Sequence, residues 1–325
     1  MSLKIRSRSE IDDIHWNRLL DASLQNVIYG YTWYLDAVCE DWVAIVDEGL
    51  YGYQLVMPIP IRRKWLMRVV YQPLFCQFLG IFSDRPIPIG SYADILALLS
   101  GHFAYISNYS FNPDNYQSLL PILLKNDSIR YWISNTYNLK LGRTYSNLSQ
   151  NYSKDRKSNL KKCGKYYWEI VESKELTSII ALFVANHASR IEGGVSKNAY
   201  LKFENLCKEV SIYAELKIFH ATIKNDPQAG IVLFVHQGKV IYIFNAANQI
   251  GREGNARSFL LDEFFKANAE NDFTFDFESP DIESISKFYA SFGAEKTPFL
   301  GIHQNKLRFP FNHLQYWRRR ILTSN

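Results

Sequence analysis

The chain has four cysteines, Cys39, Cys76, Cys163 and Cys207, and none is part of a C-x-x-C pair. That spacing excludes a motif-defined zinc site and a disulfide framework, leaving buried free thiols as the expectation. Seven scattered histidines form no H-E-x-x-H or H-x-H pattern, and neither G-x-x-x-x-G-K-[ST] nor G-x-G-x-x-G occurs. A metalloenzyme, a P-loop enzyme or a Rossmann dehydrogenase therefore has no support in the sequence. Apolar runs are short, the longest at residues 55–61 and 179–185, far below the roughly 18 residues of a membrane span. The opening M-S-L-K-I-R-S-R-S-E-I-D-D has no apolar core, so it does not read as a secretory leader, and the expected location is cytoplasmic.

What is present is ordinary globular material with an aromatic excess. Hydrophobic residues make up 47% and charged residues 21% of 325, with 21 Tyr, 21 Phe and 7 Trp. Length predicts about two domains, and composition predicts ring-lined cores and clefts. The formal net charge of +5 is unevenly placed. Residues 149–168 carry Lys154, Arg156, Lys157, Lys161, Lys162 and Lys165 against the single acid Asp155, whereas residues 262–283 carry eight acids against Lys266. Further basic clusters lie at Arg62, Arg63, Lys64 and Arg68 and at Arg318, Arg319 and Arg320.

Periodicity and turn residues predict strands over 42–46, 53–62 and 69–82, then helix 92–99, strand 103–111, helix 115–124 and strand 131–141. After the basic segment come strand 168–171, helices 175–190 and 196–210, and strands 214–223, 229–236 and 239–246. A glycine-bearing loop at 248–255, helix 256–271, strand 273–278, helix 281–292 and strand 296–303 complete the chain. Both halves run meander, helix, strand, helix, strand, which predicts an internal duplication of one α/β unit. The polar stretch 142–153 places the break, giving domains 1–146 and 147–325.

The most specific stretch is I-S-K-F-Y-A-S-F-G-A over 285–294. It resembles the end of the GNAT acyltransferase fold, in which an apolar residue and a Tyr are followed by a Gly and an aromatic that close the turn. Phe288, Tyr289 and Gly293 fill the first three positions, and Ala294 replaces the aromatic. Glycine at 293 suits a left-handed helix stop. The resemblance gives Tyr289 the role of protonating the leaving group; its alternative is packing of the helix on the sheet. The superfamily's pyrophosphate signature, [RQ]-x-x-G-x-[GA], is met in part by G-R-E-G-N-A at 251–256. Gly254 and Ala256 are kept as cofactor-binding candidates, Gly251 stands where Arg or Gln belongs, and Glu253 would repel a phosphate. A Gly-rich turn into a helix presents free N–H groups to an anion; a helix cap with no ligand is the alternative.

Tandem units, the basic segment Y-S-K-D-R-K-S-N-L-K-K-C at 152–163 and the D-F-E strand at 276–278 resemble the Fem-type aminoacyl and peptidyl transferases and their FemAB-like relatives. The resemblance implies an α/β fold with mixed sheets in two tandem GNAT-like units, the active cleft lying in the second. It implies acyl or aminoacyl transfer to an amine, with acyl-CoA or aminoacyl-tRNA as donor, no metal, and a cell-envelope precursor as one acceptor class. Asp276 and Glu278, two apart on a strand, are expected on one face, either taking a proton from the attacking amine or pairing with the basic segment. Tyr242 and Asn245 lie on the preceding strand, where superfamily backbone groups hold the acyl donor. Arg156, Lys157, Lys161 and Lys162, with Arg190, are the substrate-binding candidates, suited to phosphates of a nucleotide-linked small molecule or a tRNA end. A solvated helix face is the alternative for the basic segment, and a non-catalytic protein binding an anionic envelope or sugar-nucleotide ligand is the competing function.

Overall fold

The structure, a computed structural model, describes residues 2–64, 67–191, 193–279 and 282–308, without the side chain of Arg190. The cluster at Arg318, Arg319 and Arg320 lies outside the described residues. In chain order the strands are β1 (Leu3–Ser7), β2 (Asp41–Gly49), β3 (Gly52–Lys64), β4 (Met67–Val70), β5 (Phe82–Ser83), β6 (Tyr105–Ser110), β7 (Arg130–Lys140), β8 (Glu169–Ser173), β9 (Glu215–Ile223), β10 (Asp226–His236), β11 (Lys239–Ala247), β12 (Thr274–Asp276) and β13 (Glu295–Asn305). The helices are α1 (Asp13–Ala22), α2 (Thr32–Val38), α3 (Ile89–His102), α4 (Tyr116–Leu123), α5 (Tyr145–Gln150), α6 (Lys154–Cys163), α7 (Thr177–Asn186), α8 (Lys197–Tyr213), α9 (Gln249–Glu253), α10 (Ala256–Ala267) and α11 (Glu283–Ala290). Among the described residues no helix is long and apolar enough to cross a membrane.

Two units divide the chain: residues up to Ser134 with those from Pro298 onward, and Asn135–Thr297. The break read from the polar stretch, 146/147, differs from this division, because the last residues of β7 join the second unit and the last strand of the chain joins the first. Unit 1 orders its strands β1-β2-β3-β4-β6 and adds the C-terminal part of β13 beside β6, with Gly301 opposite Ser110 and Asn305 opposite Tyr105. Unit 2 orders β8-β9-β10-β11-β12 and adds the end of β7 beside β12, with Lys140 opposite Thr274. In both units the first four strands are antiparallel neighbours, the next pair is parallel, and the sixth strand is antiparallel. Each repeat thus ends on a strand that completes the other repeat's sheet.

The returning strand is fixed by a satisfied polar network rather than by apolar burial alone. Gln304, 1% exposed, accepts a hydrogen bond from the Ser100 hydroxyl (2.6 Å) and donates to the carbonyls of Ser100 (3.1 Å) and Phe103 (2.6 Å). A buried amide with all these partners makes a register slip costly, because a slip would strand them.

The core of unit 2 is a wall of rings. Phe265 of α10, Phe275 of β12 with Phe277 just beyond it, and Tyr289 of α11 with Phe292 in the turn that follows pack onto the α10-facing side of β9, β10 and β11. On the opposite side of the sheet Phe244 meets Phe183 of α7 and Phe203 of α8, each at 4.8 Å between ring centroids. Cys76, Cys163 and Cys207 are buried free thiols and Cys39 is half-buried.

Candidate functional site

Strand β11 carries the irregularity on which the site is built. Opposite β10, Phe244 pairs with Val232 and Tyr242 with Leu233, so Ile243 is an extra residue on β11. A bulge of one residue inverts the alternation of side chains beyond it. Tyr242 therefore faces the rings of Phe275, Phe277 and Tyr289, Phe244 faces α7 and α8, and Asn245 returns to the Tyr242 side. Two residues three apart, which a regular strand would send to opposite faces, are brought to one. Strand β12 pairs with β11 only through Lys239, Val240 and Ile241. It stops at Asp276, so β11 from Tyr242 to Ala247 has no described strand on that side. The two parallel strands of unit 2 therefore part beyond Ile241 and Asp276.

Asp276 also explains why β12 stops. Its carboxylate accepts the backbone N–H of Glu278 at 2.8 Å, closing an Asx-type turn. Glu278 is left at φ 48°, in the left-handed region. The expectation that Asp276 and Glu278 share a strand face is corrected by this turn: the strand ends before alternation reaches Glu278. Asp276 is 7% exposed, accepts a hydrogen bond from the Thr136 hydroxyl and, among the described residues, forms no ion pair with the basic segment. Burial pushes its pKa up from 3.8 to about 6. A carboxyl raised in this way holds its proton in the native state at pH values where the unfolded chain has released it. The associated stability is full below about pH 4 and lost as pH rises through 6, on the order of 2–3 kcal/mol. Asp276→Asn is expected to gain on the wild-type protein by that amount between pH 4 and 7, read from urea midpoints across the range.

Tyr289 lies on α11, 6% exposed, its ring stacked on Phe277 at 4.6 Å. Gly293, at φ 79°, supplies the left-handed turn after the helix. Burial, with Tyr242, Glu278 and Asp276 nearby, pushes the Tyr289 phenol well above its ordinary range, so it stays protonated. The Tyr242 hydroxyl, pushed up to about 12 by burial, faces the Arg257 guanidinium, but the pair falls outside the geometry of a well-formed hydrogen bond and no other described residue partners it. An unpartnered buried hydroxyl is a cost, so Tyr242→Phe should raise stability by about 1 kcal/mol. A chemical-denaturation midpoint that falls would contradict it. Arg257, one residue beyond the G-R-E-G-N-A stretch, is the residue beside Asn245 and Tyr242 that sequence reasoning misses. Its Nη1 donates to Asn245 Oδ1 at 2.6 Å and its guanidinium lies 5.4 Å from the Phe288 ring. The available signal was a cation in the first turn of α10, where the helix dipole disfavours positive charge.

Gly254 and Ala256 sit at the junction of α9 and α10. The stretch expected as an open loop is wound into α9, and the N–H groups of Gly251, Arg252, Gly254 and Asn255 are already bonded to Asn248 and to backbone carbonyls within the turn. A side chain at 251 would collide with the Gln228 carbonyl, which accounts for glycine where the signature has Arg or Gln. A side chain at 254 would collide with the Trp168 indole, whose Nε1–H donates to the Gly254 carbonyl at 3.0 Å while Tyr166 stacks on it.

The basic segment divides between two faces of α6. Ser153 caps the helix, accepting the Arg156 N–H at 3.1 Å. Arg156, Leu160 and Cys163 turn inward; Lys154, Lys157, Lys161 and Lys162 are exposed, and none pairs with a carboxylate among the described residues. Lys157 Nζ donates to the Gln150 carbonyl at 2.7 Å. Arg156 is not a surface cation. It is 3% exposed, between Phe288 (4.3 Å) and Phe292 (4.2 Å), and donates to the hydroxyls of Ser291 (2.9 Å) and Ser258. Burial lowers its pKa to about 10. The expected phosphate-binding role does not fit this packing, because a guanidinium saturated by hydroxyls and rings has no open edge. Arg190 lies in the short turn Ala188–Arg190 after α7.

No family model and no curated protein matches the sequence. Solved structures do match over nearly the whole chain. FemX aligns at 10% identity over 92% of this chain and 97% of its own, with a TM-score of 0.63. A tandem GNAT protein from the clavulanic acid biosynthesis pathway aligns at 9% identity, covering 94% and 99%, with a TM-score of 0.54. L-PGS from Bacillus licheniformis aligns at 8% identity, covering 97% of each, with a TM-score of 0.51. At these identities the likeness is one of fold: the chain has a mixed-sheet architecture of two tandem GNAT-like units.

Proposed function

We propose that this chain transfers an acyl or aminoacyl group to an amine at a site in unit 2. The observation that carries the reading is the grouping of a protonated buried phenol, Tyr289, with the carboxyls of Asp276 and Glu278 where β11 and β12 part. The amine nitrogen attacks the acyl carbonyl carbon and the bond from that carbon to the leaving oxygen or sulfur breaks. The nitrogen gives up its proton to Asp276, whose pKa of about 6 leaves it ionised at neutral pH, with Glu278 beside it. Tyr289 protonates the leaving atom, and backbone N–H groups near Asn245 on the unpaired edge of β11 hold the oxyanion.

The wound α9 and the indole over Gly254 favour an aminoacyl ester over acyl-CoA as donor, since few N–H groups remain for a pyrophosphate. An assay with acetyl-CoA and an aminoacylated RNA minihelix, each offered with amine acceptors, tests this by mass-spectrometric detection of the amide. Product from the minihelix alone supports the reading; product from acetyl-CoA alone moves the donor site to the α9 turn.

The exposed lysines of α6 are suited to the phosphates of such a donor or of a nucleotide-linked acceptor. Replacing Lys157, Lys161 and Lys162 together by Ala should lower the slope of log affinity against log salt for the minihelix by about 2, since each neutralised phosphate releases counterions. Melting temperature should be unchanged. An unaltered salt slope would assign the lysines to a solvated face.

A further inference from the structure

We infer that Arg257, Asn245 and Tyr242 form a binding site for a monocarboxylate with an apolar body. The arrangement is incomplete as it stands. Arg257 uses one N–H on the Asn245 amide oxygen and rests against the Phe288 ring, and it forms no ion pair among the described residues. A guanidinium has five donors, and its planar fork matches the two oxygens of a carboxylate. Beside it the Tyr242 hydroxyl, in a residue 3% exposed, has no well-formed hydrogen bond among the described residues. Two donors of different chemistry, one cationic and one neutral, therefore share a spot whose one acceptor among the described residues, Asn245 Oδ1, is already used by Arg257. The Tyr242 hydroxyl gains a partner only when an acceptor enters beside the guanidinium.

Charge selects the class of anion. Arg257 forms no ion pair among the described residues, so its one positive charge matches a monoanion, whereas a phosphate dianion would leave a charge uncompensated. The surroundings select the rest of the ligand, since the half-buried Phe288 ring lies against the guanidinium. Asn245 holds the guanidinium in place, so its amide positions the site without touching the ligand.

The inference concerns binding, so its test is separate from that of transfer. The full chain is titrated by calorimetry with 3-phenylpropanoate, its neutral amide and inorganic phosphate. The carboxylate should bind and the amide and phosphate should not. Arg257→Lys should weaken the carboxylate about tenfold or more through loss of the fork, and Tyr242→Phe about fivefold, with Lys208→Ala, an exposed position on α8, as an unaffected control. Tyr242→Phe keeps the ring packing, so its loss of affinity is not a loss of fold. Equal binding of acid and amide, binding of phosphate alone, no binding of the acid, or a carboxylate affinity indifferent to Arg257→Lys would each overturn the assignment.

Discussion

Tyr289→Phe is expected to lower kcat by about 10²–10⁴ while leaving the melting temperature within a degree or two of wild type, the range typical of losing a general acid. The ring stays where Phe277 holds it, so the substitution removes one O–H and nothing else. Burial keeps that proton on the phenol at neutral pH. In the transition state the leaving oxygen or sulfur acquires charge, and a buried donor beside it counts most where few other polar groups can take that charge. KM should change much less than kcat, because the phenol acts on the leaving atom and not on substrate binding. Equal rates for Tyr289→Phe and wild type in single-turnover assays would return Tyr289 to the packing role that its sequence context also allows.

Arg156→Ala is expected to destabilise the fold by about 3 kcal/mol or more, from two desolvated cation–π contacts and hydrogen bonds made by a charged group. For a unit the size of Asn135–Thr297, melting on its own, that is a fall of roughly 6–12 °C in melting temperature. The guanidinium joins three helices, since it extends from α6 to Ser258 on α10 and to Phe288 and Ser291 at the end of α11. Arg156→Lys should recover little, because one ammonium cannot span both serines or stack between two rings. Lys161→Ala, on the exposed face of the same helix, should lie within about 0.5 kcal/mol of wild type. If Arg156→Ala melts like Lys161→Ala, the guanidinium is not a structural clamp.

The order of elements in both halves was legible because strands and helices alternate with clear period changes, and because Gly293 stops its helix in the left-handed conformation. The strand exchange was not. β6 and β13 lie some two hundred residues apart in the chain, and pairing at that distance leaves no local pattern. The convergence of Tyr242 and Asn245 depends on one bulged residue, Ile243, whose neighbours read as a regular strand. Arg156 looked like its lysine neighbours because composition records charge and not direction. Its helical spacing of four to Leu160 and seven to Cys163 was the signal that it faces inward. Arg257 stood one residue outside the partial phosphate signature, and only the Asn245 contact gives it a role.

The most direct test of the transferase account is the amide formed from an aminoacylated RNA minihelix and an amine acceptor, quantified by mass spectrometry for wild type and Tyr289→Phe side by side. The account predicts an amide product from the wild-type chain and a rate lower by about 10²–10⁴ in the variant. No amide from the wild-type chain with any acceptor, or equal rates from both proteins, would contradict it.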